Sequence, residues 1–272
     1  MAVRTWLSKD MSTRLVTSDE TRIAFELTGN AEGEPLVFLH SLGSDRNQWR
    51  PQINAMSPDF RILEVDTRGF GQSDAPPGPY TLERLSTDVI ELADMAGFDT
   101  FHLCGLSLGG MMAQWIAIHH PDRLRTLTLA NTAAKIGTAE VWDERGEIAM
   151  ANGVGSMVEV ILARWFLPAF AARNPELIAS LSATLTATQA VGYAGACAAL
   201  QHADLRDEVS AINAKTLVIA ASDDGATPRS DLEFLHAKIE GSRYHLINNA
   251  AHISNLEAAD EFTRELQAHL QS

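Results

Sequence analysis

Phe101-His102-Leu103-Cys104-Gly105-Leu106-Ser107-Leu108-Gly109-Gly110 runs from a short apolar stretch into a Gly-x-Ser-x-Gly pentapeptide, and a helical pattern follows to His120. Strand, tight turn and helix in that order make Ser107 the tip of a strained elbow. Residues two before and two after the serine must be small for the strand and helix to approach closely, and Gly105 and Gly109 meet that need. Such a turn presents Oγ at the edge of a sheet. It also aims a helix N-terminus, with the backbone N–H of Leu108, at charge developing on a bound carbonyl oxygen.

The pattern on either side repeats strand and helix. Thr21 to Thr28 alternates, with Ile23, Phe25 and Leu27 expected inward, and residues 14–28 read as an opening hairpin. Short apolar runs at Leu36–Leu39, Arg61–Val65, Phe101–Cys104, Leu124–Leu129, Leu217–Ala220 and Tyr244–Ile247 have strand length. Several lack polar alternation, as strands covered on both faces do. Helical patterns occupy Leu82–Met95, Leu108–His120, Leu232–Ile239 and Ala258–Leu270. The fold class is therefore α/β, a mainly parallel twisted sheet flanked by helices.

From about Asn131 to Ile212 the rhythm breaks: there is no convincing strand, several helical stretches, and breakers at Pro168 and Pro175. We read residues 1–130 and 213–272 as one core and 131–212 as a helical cap inserted into it.

A serine of ordinary pKa is a poor nucleophile and needs a base, which a carboxylate must orient. The order along the chain is serine, acid, histidine. His252 follows the Tyr244–Ile247 strand and precedes the last helix, which puts it in a loop at the edge that carries Ser107. His119 and His120 end a helix, and His236, His245 and His269 lie within regular elements. For the acid, the strand Leu217–Ala220 leads into Ala221-Ser222-Asp223-Asp224-Gly225-Ala226-Thr227-Pro228. Both aspartates are candidates; Asp224, which begins Asp-x-x-Thr-Pro, is preferred, with Asp223 as a turn residue. A second oxyanion donor belongs to the loop His40-Ser41-Leu42-Gly43, through the N–H of Leu42, with His40 as a structural residue. The glycine-rich run Asp66 to Asp74 has no following Lys-Ser or Lys-Thr, so it is a structural turn and not a phosphate loop.

Composition narrows the partners. The chain has 272 residues, 46% hydrophobic and 21% charged, with a formal net charge of -14. That balance disfavours nucleic acid and anionic membranes and favours a small molecule. Met1 to Asp10 carries charges at Arg4, Lys9 and Asp10 and no signal-peptide core, and no run is apolar enough to cross a bilayer. Two cysteines, Cys104 and Cys197, are too few for a disulfide framework. A cytoplasmic protein is expected; oligomeric state is not readable.

Taken together these residues resemble the α/β-hydrolase superfamily over nearly the whole chain, and within it the 3-oxoadipate enol-lactonases of aromatic catabolism. The closer likeness rests on Ser41-Leu42-Gly43-Ser44-Asp45 with Trp49, Asp66-Thr67-Arg68-Gly69, Pro76 to Thr81, Cys104 to Ser107, and Ala251-His252-Ile253-Ser254-Asn255. Asn131 to Thr138, Arg164-Trp165-Phe166 and Gly192-Tyr193-Ala194 extend it into the cap. His40, Leu108 and Asp223 stand where these enzymes tend to carry Asn, Met and His, and the first dozen residues look like an extension. The resemblance implies attack by Ser107 on a lactone carbonyl, His252 as base, Asp224 as acid, and an oxyanion held by the N–H groups of Leu42 and Leu108. It implies no metal and no organic cofactor. A substrate carboxylate would need a cation in the cap: Lys135, Arg145 and Arg164 are candidates, Arg145 with Trp142 foremost, and Trp142 and Trp165 as apolar walls. A broad carboxylesterase, a perhydrolase side activity and a non-catalytic ligand receptor are the alternatives. A haloalkane dehalogenase is excluded, because its nucleophile must be Asp where this chain has Ser107.

Overall fold

The computed structural model describes residues 13–272, so the reading of the first dozen residues lies outside it. In chain order the elements are β1 (Thr13–Val16), β2 (Arg22–Gly29), β3 (Glu34–Leu39), α1 (Arg50–Met56), β4 (Phe60–Val65), α2 (Leu82–Met95), β5 (Phe101–Leu106), α3 (Leu108–His119) and β6 (Leu124–Ala130). Then come α4 (Ala139–Asn152), α5 (Val158–Trp165), α6 (Pro168–Arg173), α7 (Pro175–Ala187), α8 (Ala190–His202), β7 (Lys215–Ala221), α9 (Arg229–Lys238), β8 (Arg243–Ile247), α10 (Ser254–Glu257) and α11 (Ala259–Leu270).

The strands form one 8-stranded sheet in the order β1-β2-β4-β3-β5-β6-β7-β8. The opening hairpin and the β2–β4 pair are antiparallel, and every other neighbour is parallel. The centre of the sheet is β5, whose six residues are all buried, as a strand with helices on both faces must be. Parallel direction brings the C-terminal ends of β3 through β8 to one edge. That edge therefore collects the loops carrying Leu42, Ser107, Asn131, Asp224 and His252.

Local chemistry fixes the elements. α2 starts where the Thr81 hydroxyl accepts the Arg84 N–H at 3.0 Å, and α4 where Thr138 plays the same part for Val141. The turn from Asp66 is structural, as its sequence implies: the Asp66 carboxylate accepts from the Arg46 N–H, the Arg46 guanidinium and the Gln72 N–H. Gly71 is required there, since a Cβ would meet the Asp66 side chain at 2.3 Å.

Two expectations need correcting. Leu27 is not inward; it is 39% exposed, because the face it shares with Ile23 and Phe25 is covered only as far as Phe25. α9 begins at Arg229, three residues before the apolar pattern, directly after Pro228. Between β6 and β7 the described chain has helices and no strand. Among the described residues no helix is long and apolar enough to cross a membrane.

Candidate active site

Ser107 closes β5 with φ 58° and ψ −116°, a conformation that L-residues avoid and that persists only where surroundings enforce it. The enforcement is visible. Its N–H donates to the Ala130 carbonyl at 3.1 Å, and its carbonyl accepts the Thr132 hydroxyl at 2.7 Å and the Met111 N–H at 3.0 Å. A Cβ on Gly105 would meet the Gly109 carbonyl oxygen at 2.1 Å, and one on Gly109 would meet the Leu39 carbonyl oxygen at 2.3 Å. Both glycines are thus fixed by close backbone approach, one to α3 and the other to β3.

The loop after β8 carries His252, and the loop after β7 carries Asp224. The two loops are sewn together: Ser222 N–H donates to Ile247 O, Asp223 N–H to Ala250 O, and Asn249 N–H to Ser222 Oγ, each at 2.9–3.0 Å. His252 Nδ1 lies 2.9 Å from Asp224 Oδ2 and 3.1 Å from Oδ1. The same carboxylate accepts the N–H groups of Ala226 and Thr227 at 2.8 and 3.0 Å, the Thr227 hydroxyl at 2.7 Å and the Asn131 side-chain amide at 2.9 Å. Burial pushes the Asp224 carboxyl up, but the adjacent imidazole and these donors outweigh it and hold it well below the usual carboxylate range. Asp223 is exposed and its carboxylate accepts only from Ser222 Oγ. Of the two candidate acids, the structure brings Asp224 to the histidine.

With Nδ1 facing Asp224, the other ring nitrogen is unpartnered among the described residues, and no hydrogen bond joins it to Ser107 Oγ. Both residues nevertheless line one small cavity of about 80 Å³. Loose contact between such groups is common without substrate.

The loop after β3 is set by two residues. His40, fully buried, accepts the Thr67 N–H through Nε2 at 2.9 Å, so its proton sits on Nδ1 and is donated to Ser41 O at 2.8 Å. Burial lowers its pKa below the ordinary imidazole value, which suits this neutral bridging role. Gln48 Oε1 accepts both the N–H and the hydroxyl of Ser41. Among the described residues the N–H groups of Leu42 and Leu108 have no protein acceptor, which leaves them available to an oxyanion.

Ile136, Val141, Trp142, Arg145, Ile161, Arg164 and Trp165 stand among the other residues of the wall. The Arg145 guanidinium sits 5.5 Å from the Trp142 ring centroid and 5.6 Å from that of Tyr193, which fixes its position. Neither Arg145 nor Arg164 has a carboxylate partner among the described residues. Tyr193 is fully buried and, among the described residues, its hydroxyl has no hydrogen-bond partner. Lys135 is not brought to the cavity: its ammonium is held by Asp204 at 3.1 Å, a carboxylate that Arg206 also grips.

Sequence reasoning missed two residues. Asn131, at φ 42°, donates to Asp224 while its Oδ1 accepts the Ser254 hydroxyl at 2.6 Å. Glu257 accepts the Ala251 N–H at 2.6 Å and the Leu167 N–H at 2.9 Å, tying the histidine loop to the segment after α5. The Ile253 N–H to Trp165 O bond, 3.1 Å, reinforces that tie. An Asn directly after a strand, where its side chain tolerates a left-handed backbone, was the one available signal.

A sequence model of the α/β hydrolase fold family matches residues 34–259. The chain is 36% identical over 253 residues to 3-oxoadipate enol-lactonase 2 of Acinetobacter baylyi, covering 93% of this chain and 94% of that protein. The crystal structure of the enol-lactonase from Burkholderia xenovorans superposes with a TM-score of 0.93 at 37% identity, over 96% of this chain and all of that one. A thermophilic esterase from Thermogutta terrifontis superposes with a TM-score of 0.90 at 27% identity, over 96% and 98% of the two chains. With its sheet order, its strained serine and these likenesses spanning nearly its full length, the chain belongs to the α/β-hydrolase family.

Proposed function

We propose that this protein is a serine hydrolase that opens an enol-lactone of the 3-oxoadipate type through an acyl-enzyme. The observation that carries the reading is one small cavity walled by Ser107, His252 and two guanidinium groups without carboxylate partners. Such cations need an anion to neutralise them, and a lactone bearing a carboxylate supplies it beside the nucleophile. The likeness to enol-lactonases supports the same substrate class.

In this mechanism Ser107 Oγ attacks the lactone carbonyl as His252 takes its proton. Asp224 keeps that proton-accepting nitrogen facing away from itself and stabilises the imidazolium. The N–H groups of Leu42 and Leu108 hold the oxyanion. The ring C–O bond breaks, His252 protonates the departing enol oxygen, and the enol relaxes to a ketone while its other end remains esterified to Ser107. Water, deprotonated by His252, then attacks the ester and releases the second carboxylate. Arg145, fixed between two aromatic rings, binds the substrate carboxylate, with Trp142 and Trp165 as apolar walls and Arg164 as the second cation of the wall. The helices between β6 and β7 act as the cap that keeps water out. We place the reaction in aromatic breakdown in a reducing cytoplasm, a setting that suits the two buried, unbridged cysteines.

Broad carboxylesterase action is the second reading, favoured by the likeness to the thermophilic esterase. The test is kcat/KM for 3-oxoadipate enol-lactone beside a neutral p-nitrophenyl ester, with wild type and Ser107→Ala. Strong Ser107-dependent preference for the lactone is expected. Preference for the neutral ester would overturn the substrate assignment and keep the hydrolase, and turnover by Ser107→Ala at the wild-type rate would overturn the nucleophile.

A further inference from the structure

A second cavity, about 420 Å³, adjoins the first and shares Val141, Arg145, Ile161 and Arg164 with it. Two helix faces build it. On α4, Val141, Arg145 and Ile148 follow one another at helical spacing, and on the opposite side Val160, Ile161 and Arg164 do the same along α5, with Met157 just before its first residue. The two arginines stand at the neck between the cavities. Beyond them the wall is largely apolar, and Glu144 is its one carboxylate.

That outer wall leaves apolar side chains in water. Val160 is 62% exposed, the highest value among the large apolar residues described, and Val141 is 46% exposed. Apolar groups left in water around the mouth of a site point to something that covers them in use. The catalytic cavity is too small for more than a compact ring, so any longer substituent on that ring has to pass the neck into this space. Glu144 disfavours a second anion there, whereas the apolar side chains favour a hydrocarbon.

We propose that the outer cavity is a second substrate subsite, which takes an alkyl chain carried on the ring carbon next to the lactone oxygen, so that the protein also opens γ-alkyl lactones. The inference rests on the reading above, in which Ser107 meets the carbonyl and the substituent on that ring carbon points at Arg145 and Arg164. The chemistry balances without a further reactant: water adds, the acyl C–O bond breaks, and a 4-hydroxy acid leaves with its chain in the outer cavity until release.

The experiment is a series of γ-valero-, γ-hepta-, γ-nona- and γ-undecalactone, followed by pH-stat with wild type, Ser107→Ala and a Val160→Asp/Met157→Ser double variant. In wild type kcat/KM rises along the series, by up to about fourfold per added methylene where each is fully buried. The double variant flattens the series and leaves γ-valerolactone turnover unchanged. A flat wild-type series, absence of Ser107-dependent turnover, or a slope that survives the double variant overturns the proposal. 3-Oxoadipate enol-lactone measured alongside separates the two readings. A steep alkyl series without enol-lactone turnover removes only the enol-lactone assignment, and efficient enol-lactone turnover with a flat series removes only the subsite.

Discussion

Replacing Asp224 by Asn tests the acid and the histidine tautomer together. Oδ1 accepts the Ala226 and Thr227 N–H groups, while Oδ2 accepts the Thr227 hydroxyl, the Asn131 amide and the His252 ring at 2.7, 2.9 and 2.9 Å. An asparagine keeps one acceptor oxygen. The two backbone N–H groups, fixed in the turn, claim it, so the new NH₂ stands where Oδ2 was and faces the Asn131 amide and His252. The hydroxyl can rotate to accept, but the histidine can only respond by presenting an unprotonated Nδ1. Its proton then moves to the nitrogen that should receive one from Ser107. In a serine protease the same change lowers kcat by about 10⁴, equivalent to about 5.4 kcal/mol of barrier. The Asn131 amide, left facing another donor, adds a stability loss of about 1–3 kcal/mol. Steady-state kcat on the enol-lactone and a thermal melt read the two effects separately. Asp223→Asn is the control and is expected within about twofold of wild type, since the only hydrogen bond of that side chain among the described residues is the one it accepts from Ser222 Oγ. A loss below tenfold for Asp224→Asn, or the large loss appearing in Asp223→Asn, would refute the reasoning.

Arg145→Gln removes a fixed cation from the wall. Its kcat/KM for the carboxylated lactone should fall about ten- to a hundredfold, the worth of one charged hydrogen bond, while a neutral ester keeps its rate; equal losses on both substrates would deny Arg145 a carboxylate. Glu257→Gln leaves either the Ala251 or the Leu167 N–H facing an NH₂ group, so a stability loss of about 1–3 kcal/mol is expected in urea, with kcat lowered more than KM is altered because Ala251 adjoins His252; an unchanged midpoint would exclude the tether. His269 donates from Nε2 to Leu127 O at 3.1 Å, its buried Nδ1 has no partner among the described residues, and burial lowers its pKa from 6.5 to about 4. A histidine depressed in this way leaves stability intact above the unfolded value and removes it as pH falls from about 6.5 through about 4, because only the unfolded chain takes up the proton. Wild type should therefore lose about 2 kcal/mol between pH 7 and pH 4.5 through this residue alone, and His269→Gln should show a correspondingly shallower slope in denaturant midpoints over that window.

What the sequence made legible was the part encoded locally. Short apolar runs between glycine, proline and aspartate punctuation located the strands, because a strand buried on both faces needs nothing but apolar side chains and a stop. Ser107, Asp224 and His252 were readable for a related reason: each sits in a loop whose own neighbours dictate its shape. α1 and α10 were not, with 7 and 4 residues, too few to show a helical period. Asn131 and Glu257 were invisible because their partners are remote. The amide of Asn131 reaches Asp224 over 93 positions, and Glu257 reaches Leu167 over 90. Lys135, Arg145 and Arg164 were all legible as cap cations, Arg145 foremost beside Trp142; what sets Lys135 apart is Asp204, 69 positions beyond it, which draws the lysine away from the cavity.

Bulk charge illustrates the same division. A net charge of -14 argues against a polyanion, whose many phosphates would meet that field along an extended contact. It says little about a small anion, because at physiological salt charges beyond about 8 Å are screened. On the proposed reading, a molecule of a few ångströms entering between α4 and α5 meets the groups at the neck, Arg145 and Arg164. Two guanidinium groups stand there although the chain as a whole is acidic, and apolar walls of Trp142, Ile161 and Trp165 strengthen what those charges exert. On the proposed reading, composition selects the size class of the partner, and the residues that α4 and α5 present at the neck select its charge.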